Sequence, residues 1–275
     1  MPLGPIPQQR IVEKLDEYMS HRDYAGVERH LLYWLDEAIL AGDQRGELMV
    51  RNELVGHFRK TGDKARAFEH AEEALRLIEE LGFDQTISAG TTYTNTGTAF
   101  NAFGENERSL ELFRKAAELY ESSSHTRPEL LGGLYNNMAL ACIALGRFDE
   151  ADELYARALE TMANVENGQL EQAITYLNMA DAAVAKARVE NGGDESAVMM
   201  DSACDEVVEE YLDTALALLD TPAIPRDGYY AFVCEKCAPV FAHYGYFLAD
   251  EDLRNRAREI YGAIKGASQN TGGNK

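Results

Sequence analysis

Asparagine recurs at 95, 137 and 178, at intervals of 42 and 41 residues. A side-chain amide both donates and accepts, so it can hold the main chain of an extended segment or bridge one helix to the next. Over the whole chain the column reads Glu13, Glu53, Asn95, Asn137, Asn178 and His243, each nine residues before an expected chain reversal. A second constellation is the pair Cys234 and Cys237, with His243 six residues beyond. A redox pair wants its first thiol at a helix N-terminus, and a closed zinc site wants four ligands. Here both thiols fall inside an expected helix, one turn apart, which is the pattern of small buried residues. A metal or thiol protein built on Cys234 and Cys237 is the alternative reading.

Carboxylate runs such as Glu72-Glu73, Glu79-Glu80 and Asp205-Glu206 with Glu209-Glu210 lie opposite the apolar stripe of their helices. They read as solvated faces. The chain holds no G-x-S-x-G, phosphate loop, H-E-x-x-H or dinucleotide fingerprint. No catalytic residue, metal ligand or cofactor is therefore nominated, and the expected protein is not an enzyme.

The elements that must position these residues are written twice over in the middle of the chain. YTNTGTAFNAFGENERSLELFRKAAEL starts at Tyr93 and YNNMALACIALGRFDEADELYARALET at Tyr135, with Tyr93, Asn95, Gly104, Phe113 and Ala116 matching Tyr135, Asn137, Gly146, Tyr155 and Ala158 42 residues on. In each copy an apolar pattern of helical period stops at glycine and resumes beyond it, which predicts a helix-turn-helix hairpin. Gly97 and Ala139 are expected to let paired helices approach closely, and Phe113 and Tyr155 to fill the space between neighbouring units. A unit of this size cannot bury its own apolar face, so an array is implied.

The signature resembles the tetratricopeptide repeat. It has an aromatic eleven before the turn glycine, a small residue seven before, Ala or Ser five after, an aromatic nine after and Ala twelve after. The 42-residue period and the string from Leu134 to Glu160 resemble the long-period repeats of kinesin light chains and of bacterial peptide-sensing regulators. The resemblance implies an all-α, right-handed α-solenoid of about six antiparallel helix pairs, with the first helix of each pair on a concave face. It further implies a non-catalytic scaffold that binds an extended peptide or a partner helix there, the groove asparagines holding the peptide main chain. A peptide-responsive regulator is the variant reading. Concave candidates are then Asn95, Asn137, Asn178, His243, Glu53, Thr94, Thr98, Asn101, Asn136 and Asp181, with Arg59 and Lys60 beside them. Family members that clamp a chaperone's terminal carboxylate use Lys and Arg in the groove; Thr91, Gly133 and Ile174 stand at those places, so that clamp is not expected.

In chain order, 1–7 is a proline-bearing leader, and the units span about 8–42, 44–82, 85–124, 127–164, 169–221 and 227–266. The fifth carries an insertion at 188–203 that should lengthen both its helices. The sixth is registered on Asp252, with Phe241 eleven before and Gly245 seven before. A small polar tail, 267–275, is expected to be disordered. The helix beginning near Thr86 holds six threonines, a weak helix former whose hydroxyls either are sheltered or line the groove.

The chain has 275 residues, 47 acidic and 26 basic, for a net charge of −21. That field repels phosphate backbones and anionic headgroups, so nucleic acid and membrane are not expected partners. There is no apolar run of about 20 residues and no signal-peptide pattern, and four cysteines make no disulfide framework. The expectation is a cytoplasmic protein with an unidentified protein or peptide partner. Self-association as a homodimer through a terminal unit is the structural alternative.

Overall fold

The computed structural model describes residues 4–194 and 201–271. Every regular element among them is a helix, and there are twelve. They are α1 (Gln8–Ser20), α2 (Tyr24–Ala41), α3 (Gln44–Thr61), α4 (Lys64–Glu80), α5 (Ile87–Ala102), α6 (Asn106–Ser122), α7 (Pro128–Ala144), α8 (Phe148–Ala163), α9 (Gln169–Glu190), α10 (Ser202–Leu219), α11 (Gly228–His243) and α12 (Phe247–Thr271). They pack as consecutive pairs, α3 on α4, α5 on α6, α7 on α8, α9 on α10 and α11 on α12. The chain divides into two compact units, Met1–Thr126 and Arg127–Lys275. No helix among the described residues is long and apolar enough to cross a membrane.

Short polar punctuation starts and stops these helices. Asp23, Asp43 and Asp63 stand at the starts of α2, α3 and α4, each accepting the backbone N–H three residues on, which satisfies a donor that a helix start leaves orphaned. Between the paired helices the chain reverses on glycine: Gly104 has φ 84° and Gly146 φ 72°, a left-handed conformation that side chains with a Cβ resist. The close approach expected at Gly97 is present, because a Cβ there would stand 2.6 Å from Phe113 Cε1. Ser109 adds a buried bond, its Oγ donating to the Gly97 carbonyl at 2.7 Å. Phe113 therefore packs on the helix of its own pair. Tyr155 is fully buried on α8, the helix against which α9 packs.

Two places depart from the sequence expectation, and one detail lies beyond it. In the leader Ile6 is buried, and its N–H donates to Asp43 Oδ2 at 2.9 Å while the other oxygen of Asp43 caps α3. Gly46 leaves the room for it, since a Cβ there would meet Ile6 at 2.6 Å. In the last pair the turn is Gly245, with φ 83°, and Asp252 lies inside α12. The expected register was out by seven residues. Seven residues are nearly two helical turns, so the apolar stripe reads almost alike in either register. Finally, α12 continues to Thr271, past the expected end at 266, with no proline to stop it; 272–275 lie outside the described residues.

In the fifth pair α9 runs through Ala187 to Glu190, the chain turns at Asn191 to Gly193, and α10 opens at Ser202, capped by Asp201. Both helices are longer than their counterparts α7 and α8 at the facing ends, while residues 195–200 of the insertion lie outside the described residues.

Candidate functional site

In the first unit the leading helices α3 and α5 lie side by side. Asn95 on α5 donates through Nδ2 to Asn52 Oδ1 on α3 at 3.3 Å. Asn52 in turn donates to Thr92 Oγ1 at 3.0 Å and to its own Leu48 carbonyl at 2.9 Å. In the second unit the same arrangement recurs, Asn178 of α9 donating to Asn136 Oδ1 of α7 at 3.1 Å. Asn52, Asn95, Asn137 and Asn178 are half-buried, and Asn136 is 8% exposed. Two of the three column asparagines thus bridge neighbouring leading helices, and both residues are partly exposed.

Asn52 was missed as a candidate, although a signal existed. It and Asn136 each stand ten residues before a turn glycine, Gly62 and Gly146. A column of acceptors therefore runs beside the column of donors, offset by one residue.

The remaining candidates scatter over several roles. Thr94 and Thr98 are half-buried and donate to the carbonyls of Gly90 and Thr94, four residues back, at 2.8 and 2.7 Å. Thr91 and Thr92 do the same at 3.3 Å, and Thr91 also reaches Tyr120 Oη at 3.2 Å. These hydroxyl protons serve their own helix, which is how threonine is sheltered in a helix interior. Asn101 Oδ1 is buried without a hydrogen-bond partner in the structure. The Glu53 carboxyl is held above the usual range by burial, with Asp16 of α1 adding repulsion. Glu13 is exposed and accepts from Gln9 at 3.0 Å. Arg59 and Lys60 are exposed at the end of α3, with Lys60 over the Tyr24 ring at 5.0 Å. Asp181 accepts from Tyr244 Oη at 2.7 Å, which ties α9 to the end of α11.

His243 is a correction. With the turn at Gly245 it is the exposed last residue of α11, two before the turn, and Lys236 takes the ninth place. The same correction explains the cysteines. Cys234 falls eleven before Gly245, where Tyr93 and Tyr135 stand in their pairs, and Ala238 falls seven before, like Gly97 and Ala139. Cys234 and Cys237 are both buried in the core of the second unit with Tyr230, Phe241 and Leu253. Burial raises both thiols, that of Cys237 to about 12, the opposite of what a thiolate ligand or redox nucleophile needs.

The family profile of the tetratricopeptide repeat matches residues 47–122 and 130–190. No curated protein matches the chain. Among solved structures, the chain is similar to the kinesin light chain nearly identical TPR-like repeats of Podosopora anserina at 18% identity, over 80% of this chain and 97% of that one, with a TM-score of 0.48. It is also similar to BtubC (BKLC) of P. vanneervenii at 17% identity, over 95% and 93%, with a TM-score of 0.44. The profile covers the stretches in which the glycine-turned helix pair repeats, and the chain is a tetratricopeptide-repeat protein.

Proposed function

We propose that this protein is a non-catalytic scaffold whose leading helices take up an extended peptide or a helix of a partner protein. Repeats of this kind are generally protein-interaction scaffolds. The observation that carries the finer reading is the repetition of one polar device on the leading helices of both units, Asn95 to Asn52 and Asn178 to Asn136, the donor residue half-buried in each. A purely structural bridge has no need to border solvent. An amide fixed by one bond to its neighbour is also preorganised to offer its remaining donor or acceptor to a peptide backbone, the mode by which extended segments gain affinity without sequence-specific pockets.

Selection from a random peptide display library tests the proposal. The wild-type chain should enrich a family of peptides that the Asn95→Ala, Asn137→Ala, Asn178→Ala triple variant, still folded by its helical melt, does not retain. Enrichment of nothing by the wild type, or equal retention by the triple variant, would overturn it.

A further inference from the structure

On α11 two aromatic rings stand side by side in solvent. Tyr229 is 49% exposed and Phe232 47%, with ring centroids 6.2 Å apart and planes inclined by 23°. Counted from Gly245 they lie sixteen and thirteen residues before the turn, the places of Ser88 and Thr91 on α5 and of Leu130 and Gly133 on α7. They are therefore on the face of the leading helices. The Tyr229 hydroxyl donates to the Glu171 carboxylate of α9, which fixes the ring and sets a carboxylate at its rim.

The rest of the molecule shows what such a surface accepts. Elsewhere cations cap this chain's own aromatic rings, with guanidinium groups the nearest: Arg226 on Tyr230 at 4.0 Å, Arg157 on Tyr135 at 4.1 Å, Arg108 on Phe100 at 4.1 Å and Arg66 on Phe58 at 4.2 Å, whereas the lysines over Tyr18, Tyr24, Phe68 and Tyr93 stand off at 4.9, 5.0, 5.0 and 5.8 Å. Among the described residues no such cation lies over Tyr229 or Phe232. The second unit carries 25 acidic and 12 basic residues, so its field draws cations toward it. We infer that the α9–α11 face binds an arginine-bearing extended segment of a partner protein, one guanidinium stacking on the Tyr229–Phe232 pair and reaching Glu171. A planar guanidinium stacks on a ring and bonds a carboxylate at once, whereas a lysine ammonium is a strongly hydrated point charge that matches neither geometry as well. This assignment rests on the proposal that the leading-helix face takes peptide, and names the chemistry of that peptide.

Fluorescence anisotropy with labelled peptides of alternating serine and one test residue reads it out. The arginine peptide should bind at physiological salt, the lysine peptide several-fold more weakly, and the glutamate and glutamine peptides not at all. Phe232→Ala should weaken the arginine peptide on the order of tenfold and leave the melt unchanged, the side chain being half exposed. Glu171→Gln should weaken it too. If Phe232→Ala binds the arginine peptide as the wild type does, the acidic surface is capturing charge without a site and the inference fails. A glutamine peptide that binds better than arginine, and is lost in Phe232→Ala, would overturn the arginine assignment while upholding the peptide face. Binding of every peptide left unaltered by both Phe232→Ala and Asn178→Ala would overturn the peptide face as well.

Discussion

Replacing Asn95 by alanine separates two contributions that the sequence alone leaves merged. The variant loses the donor to Asn52 Oδ1, and a net hydrogen bond is worth about 1 kcal/mol. Alanine returns a few tenths of a kcal/mol in helix propensity, so a urea titration should show a loss of roughly 0.5–1 kcal/mol. A variant as stable as wild type would remove the bridge from the account. The column itself was legible in the sequence because its members share a 42-residue period. The bridging contact was not, since it needs two adjacent helices to bring the ninth place of one repeat against the tenth place of the one before. Nor could the sequence say where the threonine hydroxyls of α5 turn, a local choice between the carbonyl four residues back and the surface.

At the level of the helices, α9 packs against α8, which carries Tyr155. Its ring is fully buried and its hydroxyl has no hydrogen-bond partner. Tyr155→Ala opens a cavity and should cost about 3–5 kcal/mol. Tyr155→Phe removes only an unsatisfied buried hydroxyl and should be neutral or slightly stabilising. Calorimetric melts of the two variants check the pair of outcomes, and a large loss in Tyr155→Phe would show that the hydroxyl is bonded after all. The helix pairs and their glycine turns were readable from the sequence, because a stop at glycine between two apolar stripes has few other interpretations. The register of the last pair is hidden in the sequence for an equally physical reason: a shift of two helical turns leaves its stripe in place, and only the positive φ at Gly245 decides. Ile6 escaped because burial of a residue among prolines depends on Asp43 and Gly46, about forty positions away.

Across the whole molecule, the two units should answer mild acid differently. The first buries His57 and His70, whereas the only histidine of the second, His243, is exposed. His70 Nδ1 faces the Arg51 guanidinium at 3.2 Å and so accepts its proton only as the neutral ring. Burial first, then Arg51, holds its pKa below the ordinary 6.5. Burial also lowers His57, against the opposing pull of Glu28. A base whose folded pKa is depressed contributes stability above its unfolded pKa, and that stability is lost as pH falls below about 6.5. Hydrogen exchange between about pH 7 and pH 5, corrected for intrinsic rates, should therefore show α3 and α4 opening while α9 to α12 keep their protection. The carboxylates with lowered pKa, such as Glu28 and Asp63, titrate further down, whereas Glu53 of α3, raised by burial, is relieved by protonation and offsets part of the loss from the histidines. A His57→Phe, His70→Phe chain should lose the response, and equal loosening of both units would contradict it.

If the leading helices, and not their partners, take up the peptide, photo-crosslinking will locate it there. A peptide enriched on the wild-type chain, carrying a benzophenone residue, should yield adducts on α3, α5, α7, α9 or α11 after digestion and mass spectrometry, close to Asn52, Asn95, Asn137, Asn178 or Phe232. Adducts concentrated on α4, α6, α8, α10 or α12 would contradict the account.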